Sequence, residues 1–327
     1  DPFAGGGAIP LEAARLGCRS YGNDLNPVAH IIQRGSLEFP QKYGKPITYS
    51  KAEYVKRYGK EAWDEQPQEL KTVLRGEAVA IRLPNRLAYD VEHFAKRLLA
   101  VAESEVGHLY PKDAHGKRPL AYYWVRTAHC SNPACRAEVP LLKEFYLCNM
   151  PAKKIHLKPV INGKLIDFKI VEGEVEGHGY VQSRKTLTCP LCGSTTANTQ
   201  LKQQFLSGAF GERLVAVFEA TKAGKVYRLP TAQERAIHVD RFEVDNIPTE
   251  GLAVGNTKQF DLCPWGFTTV GDMFTSRQLL FLNSLTRGLG AIENDLSGSS
   301  EDYTTAVLTY LGIFVDRIAA TNTAFGR

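Results

Sequence analysis

Apolar and polar positions change rhythm several times along this 327-residue chain. Near the start, "LEAARL" (11–16) carries strong helix formers. Pro10 suits the first helical turn, where its missing N–H is not needed, and Gly17 is a natural C-terminal stop. "CRSYGN" reads as a short strand ending at Asp24, and "NPVAHIIQRG" restarts a helix from Pro27 that ends at Gly35. Further on, Val91, Phe94, Leu98 and Val101 fall at helical spacing, as do Tyr303, Val307, Leu311, Phe314 and Ile318. Thr275 and Gln278 form a capping-box pair in front of "LLFLNSL".

The middle of the chain has a different pattern. "AYYWVRT" (121–127), "LVAVFEA" (214–220) and "KVYRL" (225–229) read as strands. "IHLKPVINGKLIDFKIV" (155–171) reads as a hairpin turning at Asn162-Gly163, with Pro159 placing its strand at an edge. Residues 40–90 support only short helices, and no internal repeat is present. The organisation is an α/β start, a β-rich middle and a helical end.

Composition narrows the classes. Apolar residues make up 43% and charged residues 23%, as in soluble globular proteins. No apolar run approaches the roughly 18 residues of a membrane span, and no secretory signal opens the chain. A cytoplasmic setting is expected. The net charge of +5 permits a polyanionic partner without demanding one. Of the seven cysteines, four form two close pairs and three stand alone (Cys18, Cys148, Cys263). In that setting metal ligands or buried thiols are expected rather than a disulfide framework, and the three lone cysteines are expected as small buried hydrophobes.

The opening "DPFAGGG" is a glycine turn that brings backbone close to a ligand. Gly5 and Gly7 match the first two glycines of a dinucleotide-binding G-x-G-x-x-G, but Pro10 stands at the third. The other reading is a cofactor without a pyrophosphate. S-adenosylmethionine needs a bent loop for its methionine part and an acid for its ribose hydroxyls. Asp24, at the end of the second strand, can accept from both hydroxyls, or else cap the helix that follows.

Cys130 and Cys135 form a C-x4-C pair, and Cys189 and Cys192 a C-x2-C pair followed by Gly193. Two turns each offering two thiolates meet the tetrahedral demand of a structural zinc, with no position left for water. The alternative for Cys189/Cys192 is a redox pair, which wants a βαβ context. His129 is a further candidate ligand.

"DPFAGGG" resembles the D-P-F-x-G-[SG]-G cofactor motif of amino-methyltransferases, and "NDLNPVA" their acid-plus-Asn-Pro signature. Together with the four-cysteine ribbon and stretches such as "YRLPT", "IPTE", "GDMFTSRQLLFL" and "YLGIFVDRIAATN", the chain looks like the adenine-specific DNA methylases containing a Zn-ribbon. The likeness covers nearly the whole chain. It implies a Rossmann-like class I methyltransferase domain with an inserted β-rich ribbon and a helical C-terminal part. The spans would be 1–40 (start of the S-adenosylmethionine domain), 41–120 (helical or irregular insertion), 121–230 (zinc ribbon) and 231–327 (helical segment). By likeness, Asp1, Phe3, Gly5, Gly7, Asp24 and Asn26 would line the cofactor, zinc would be structural, and duplex DNA with a flipped base would be the partner. Arg228 and Arg277 are candidate phosphate contacts, Arg277 alternatively an ordinary surface residue.

Enzymes of this class use a [D/N/S]-P-P-[Y/F/W] loop, and none of the 17 prolines here is followed by another. The chain is therefore expected to be a fragment, lacking a strand before Asp1 and a catalytic half after Arg327, so no catalytic residue is named. The expected activity is methyl transfer to an exocyclic base amine, adenine N6 before cytosine N4. The alternatives are a non-catalytic zinc-ribbon module that grips nucleic-acid phosphate through Lys153, Lys154, Lys158, Lys164 and Lys169, and a nicotinamide-dependent oxidoreductase.

Overall fold

The computed structural model describes residues 1–113, 116–182, 185–221, 224–239, 243–252 and 262–323; parts of the expected spans 41–120, 121–230 and 231–327 lie outside that description. Helix α1 (Ala8–Arg15) starts from Gly7 and stops before Gly17, both with positive φ. Residues 18–24 are not a strand but an irregular extended segment. It makes one rung of a parallel ladder: the Asp1 nitrogen donates to the Tyr21 carbonyl (2.8 Å), and the Asn23 N–H to the Asp1 carbonyl (2.9 Å). Helix α2 (Pro27–Gln33) is capped by Asn26, whose side chain accepts from the Val28 N–H. It does not end at Gly35. It runs on through a π-helical turn, Arg34–Glu38, into α3 (Phe39–Tyr43). Tyr310 packs over Gly35 and donates to its carbonyl, so the glycine marks a close contact rather than a stop.

The next stretch holds a sheet that the sequence reading missed. Strands β1 (Ile47–Ser50), β2 (Lys71–Leu74) and β3 (Glu77–Leu83) form an antiparallel sheet of order β1-β3-β2, with α4 (Lys51–Tyr58) and α5 (Lys60–Asp64) between β1 and β2. The β2–β3 turn is Arg75-Gly76 with φ of 51° and 84°, the double positive conformation normally advertised by Asn-Gly. Tyr54, Tyr58, Trp63, Ile81 and Leu83 form its core.

Helix α6 (Arg86–Val106) buries Leu87, Phe94, Leu98 and Ala102, leaving Val101 exposed. It also buries Asp90 completely. That carboxylate accepts from the Tyr58 hydroxyl (2.5 Å), the Tyr303 hydroxyl (2.7 Å) and Arg57 Nη2 (3.3 Å). Burial, and then the Asp90 charge, push both tyrosines well above the usual phenol range.

Strands β4 (Ala121–His129), β5 (Glu138–Pro140), β11 (Phe210–Thr221) and β12 (Gly224–Arg228) make a sheet of order β12-β11-β4-β5. Between them come a second sheet, β6 (Tyr146–Met150), β7 (Lys153–Asn162) and β8 (Leu165–Glu172), then the small hairpin β9 (Leu187–Thr188) with β10 (Thr195–Thr196), and α7 (Asn198–Leu206). The β7–β8 turn centres on Gly163-Lys164, one residue later than expected, because Asn162 pairs with Leu165. Only Gly163 has positive φ there (61°), so its freedom suits the first turn position. Pro159 lies in the central strand, but β6 pairs only with Lys153–His156, so at Pro159 the strand is locally an edge. Every named strand pair is antiparallel.

After α8 (Ala232–Val239), helix α9 (Ser276–Asp295) starts at the expected capping box: the Thr275 N–H donates to Gln278 Oε1 and the Gln278 N–H to Thr275 Oγ1. Helix α10 (Glu301–Thr321) buries Tyr303, Ala306, Val307, Leu311 and Val315, while Phe314 is half-buried. The fold is thus mixed α/β. It divides into a unit of Asp1–Glu105 with Phe281–Asn322, cored by residues such as Phe39, Phe94, Leu98, Leu285 and Leu311, and a unit of Val106–Leu280. No helix among the described residues is long and apolar enough to cross a membrane.

Candidate functional site

Two hairpin tips bring four thiols together. The β4–β5 hairpin pairs His129 with Glu138 and presents Cys130 and Cys135 in the loop between. That loop is braced from inside: Asn132 accepts from the Ala134 N–H through its side chain and from Cys135 and Arg136 through its carbonyl, while Arg136 takes a φ of 48°. The β9–β10 hairpin presents Cys189 and Cys192, with the Gly193 N–H returning to the Cys189 carbonyl (2.9 Å) and Gly193 at φ 71°. The Ser131 N–H donates to Thr196 Oγ1 (3.0 Å), joining the tips.

The Sγ atoms of Cys130 and Cys192 lie 3.6 Å apart and those of Cys135 and Cys189 3.8 Å apart, and all four fall within 4.8 Å of one another. A zinc–sulfur bond of about 2.3 Å in a tetrahedron sets sulfurs about 3.8 Å apart. The separations are far too long for disulfides and right for sharing one cation. Burial pushes the Cys130 thiol up to about 12 and raises Cys189 as well, whereas hydrogen bonding to Ser194 pulls the exposed Cys192 down to about 6. Three more thiolates in one small space need a cation's charge. The four cysteines can therefore hold a metal ion, and His129 is not in the group. Its neighbours Gln204 Oε1 and Nε2 bond its backbone instead. The Cys189-Cys192 surroundings are hairpins, not the βαβ context of a redox pair. The lone cysteines are not buried: Cys18 is exposed and Cys148 and Cys263 are half-buried.

The glycine turn is held by a second set of contacts. Gly5 has φ 53° and its N–H donates to Asp24 Oδ2 (2.8 Å). Asp24 Oδ1 accepts from the Asn26 N–H (2.9 Å). The Asn26 and Gly5 N–H groups hold the Asp24 carboxyl below the usual carboxylate range. Asp24 therefore does not cap α2, which is the task of Asn26; it fastens the glycine turn to the segment after residue 18. Its two oxygens keep further lone pairs, since a carboxylate offers about four. A Cβ on Gly5 would meet nothing within 4 Å, so the turn faces open space there, while one on Gly7 would lie 3.1 Å from Gln33 and 3.2 Å from Leu37. Asp1 is exposed and Phe3 is 83% exposed, so neither is packed against the protein.

Two residues that pack against this turn escaped the sequence reading. Gln33 is buried and donates through Nε2 to the Gly5 carbonyl (2.9 Å). Gly22 has no room for a side chain: a Cβ would sit 2.5 Å from Gln33 Oε1 and 3.2 Å from Pro10 Cγ. The close packing that a third glycine would give from the helix is thus supplied by Gly22 from the opposite side, and Pro10 fits against it. The only sequence signal was the helical spacing of Ala29 and Gln33, the two buried residues of α2.

Both arginine expectations are corrected. Arg228 is ion-paired with Glu219 (2.6 Å) and bidentately with Glu234 (2.8 Å each). Arg277 is neither a surface residue nor a phosphate contact. It is buried, donates to the Leu109 carbonyl (3.0 Å), and lies 4.4 and 4.7 Å from the ring centres of Tyr110 and Tyr122.

Comparison with family models, curated proteins and solved structures returns no match to this chain.

Proposed function

We propose that this chain binds S-adenosylmethionine and serves methyl transfer to an exocyclic amine of a DNA base, adenine N6 first, with one structural zinc in its ribbon. The observation that carries the reading is the bond from the Gly5 N–H to Asp24 Oδ2, which joins the glycine turn to the acid at the end of the neighbouring segment. The parallel rung between Asp1 and residues 21–23 supports a Rossmann-like class I arrangement around it. S-adenosylmethionine supplies an electrophilic methyl on a sulfonium centre. Asp24 would accept the ribose hydroxyls with its spare lone pairs, held in place by Gly5 and Asn26. The open backbone at Gly5, with Gly7 behind it, would lie along the methionyl part, and the exposed Phe3 and Asp1 would close on the cofactor. No residue of this chain is assigned the base-polarising step. Cys130, Cys135, Cys189 and Cys192 would hold zinc with every position filled by sulfur, which joins two hairpins and leaves no site for metal-bound water.

Calorimetry with S-adenosylhomocysteine and with NAD tests this directly. The chain is expected to bind the homocysteine nucleoside and not NAD. Asp24→Ala should weaken binding at least about tenfold, the scale of about 1.4 kcal/mol, with Asp24→Asn intermediate because one acceptor oxygen remains. Binding of NAD alone would remove the methyltransferase reading.

A further inference from the structure

The register of the β7–β8 hairpin sets Lys158 directly opposite Lys169. Like charges facing each other across an antiparallel pair repel, and strands usually avoid the arrangement. Both side chains are exposed, and neither has an ion-pair partner among the described residues. Alternation along the strands explains why: Ile155, Leu157, Ile166 and Phe168 point into the core, so Lys158 and Lys169 project from the outer face. Of the nearby carboxylates, Glu172 alternates onto the opposite face of the hairpin and two others are already engaged. Asp167 is shared by Arg213 (3.7 Å) and Arg235 (3.9 Å), and Glu174 is held by Lys154 and by the Tyr146 hydroxyl (2.8 Å). Lys158 and Lys169, with Arg213 and Arg235, thus stand against Asp167, which the two arginines already share.

We propose that this outer face, centred on the opposed Lys158 and Lys169, docks the phosphate backbone of duplex DNA. The excess positive charge selects an anion. Its extent selects a polymer: Lys164 lies in the exposed turn just past the Asn162–Leu165 rung, four residues or about 13–14 Å along the strands from the pair, roughly the rise of four base pairs. A membrane surface fits less well. The exposed apolar residues near the tip, Ile161 and Leu165, alternate onto opposite faces of the hairpin and give no single face to insert beside the lysines. This assignment rests on the DNA part of the proposed function and is independent of the cofactor.

The test uses the full zinc-loaded chain and a fluorescent duplex of about 20 base pairs, with anisotropy read across a salt series. The double variant Lys158→Gln/Lys169→Gln should lower affinity tenfold or more near ~0.1 M salt and reduce the log–log salt slope by about 1.8. Its melting temperature should stay or rise, because the repulsion is gone. A merely solvated face would give the same thermal result with unchanged DNA affinity, which overturns the proposal. Lys56→Gln/Lys60→Gln removes equal charge elsewhere and should leave the slope intact; an equal loss there also overturns it. Duplex binding that ignores the β7–β8 change removes this surface but keeps the DNA reading. Absence of duplex binding in the wild-type chain, or binding to anionic phosphatidylserine vesicles instead, removes both, while homocysteine-nucleoside calorimetry reports separately on the cofactor.

Discussion

Gly22 and Pro10 show how much a single position can carry. Pro10 breaks the glycine pattern of a dinucleotide fingerprint, yet close approach survives because Gly22 gives up its side chain on the facing segment. The φ of Gly22 is not in the positive region, so the constraint is space alone. Gly22→Ala is therefore expected to cost about 1–3 kcal/mol by overpacking, read as a lowered midpoint in urea unfolding. An unchanged midpoint would show that Gln33 can swing aside. Asp24 was legible as an acid after the second extended segment, and its partner Gly5 as a turn. That one bonds the other was not legible, since residues 19 apart meet only through the fold.

Among the elements, long helices with strong spacing were the easiest to read: α6, α9 and α10 all form, and Thr275 and Gln278 cap α9 as their spacing indicates. Turn chemistry was harder. Arg75-Gly76 makes a tight double-positive turn without the Asn that signals one, so the β1-β3-β2 sheet went unseen. Gly35 resembles a helix stop but passes through a π-helical turn under Tyr310. One of the knuckle hairpins is short: β9 and β10 have two residues each, and strands of that length do not fold without a staple. A metal ion shared by the four cysteines would be that staple. One zinc per chain is expected by elemental analysis, and chelation or Cys189→Ser should lower the melting temperature sharply. A metal held by thiolates competes with protons, so stability from zinc would be present at higher pH and lost as pH falls and the thiols regain protons. A chelator with no effect on melting would show that the ribbon stands without metal.

On the scale of the whole molecule, Asp90 ties together parts far apart in sequence. Tyr58 from α4, Tyr303 from α10 and Arg57 converge on one fully buried carboxylate of α6. Asp90→Asn keeps the shape but removes the charge that two phenols and the guanidinium groups of Arg57 and Arg86 face. It should destabilise by about 3 kcal/mol, the scale of breaking a buried pair. A change below about 1 kcal/mol in denaturant unfolding would mean that water replaces the carboxylate.

Composition, the cysteine spacing and the glycine turn determined by themselves that this is a mixed α/β chain able to gather four thiols, because thiolate pairs on tight turns and helical periodicity are local properties. Tertiary structure alone decided which arginines are buried, that Asp24 fastens the turn instead of capping a helix, and that two lysines face each other. Those outcomes depend on distant segments sharing space, and pairing register, burial and desolvation exist only once the chain has closed on itself.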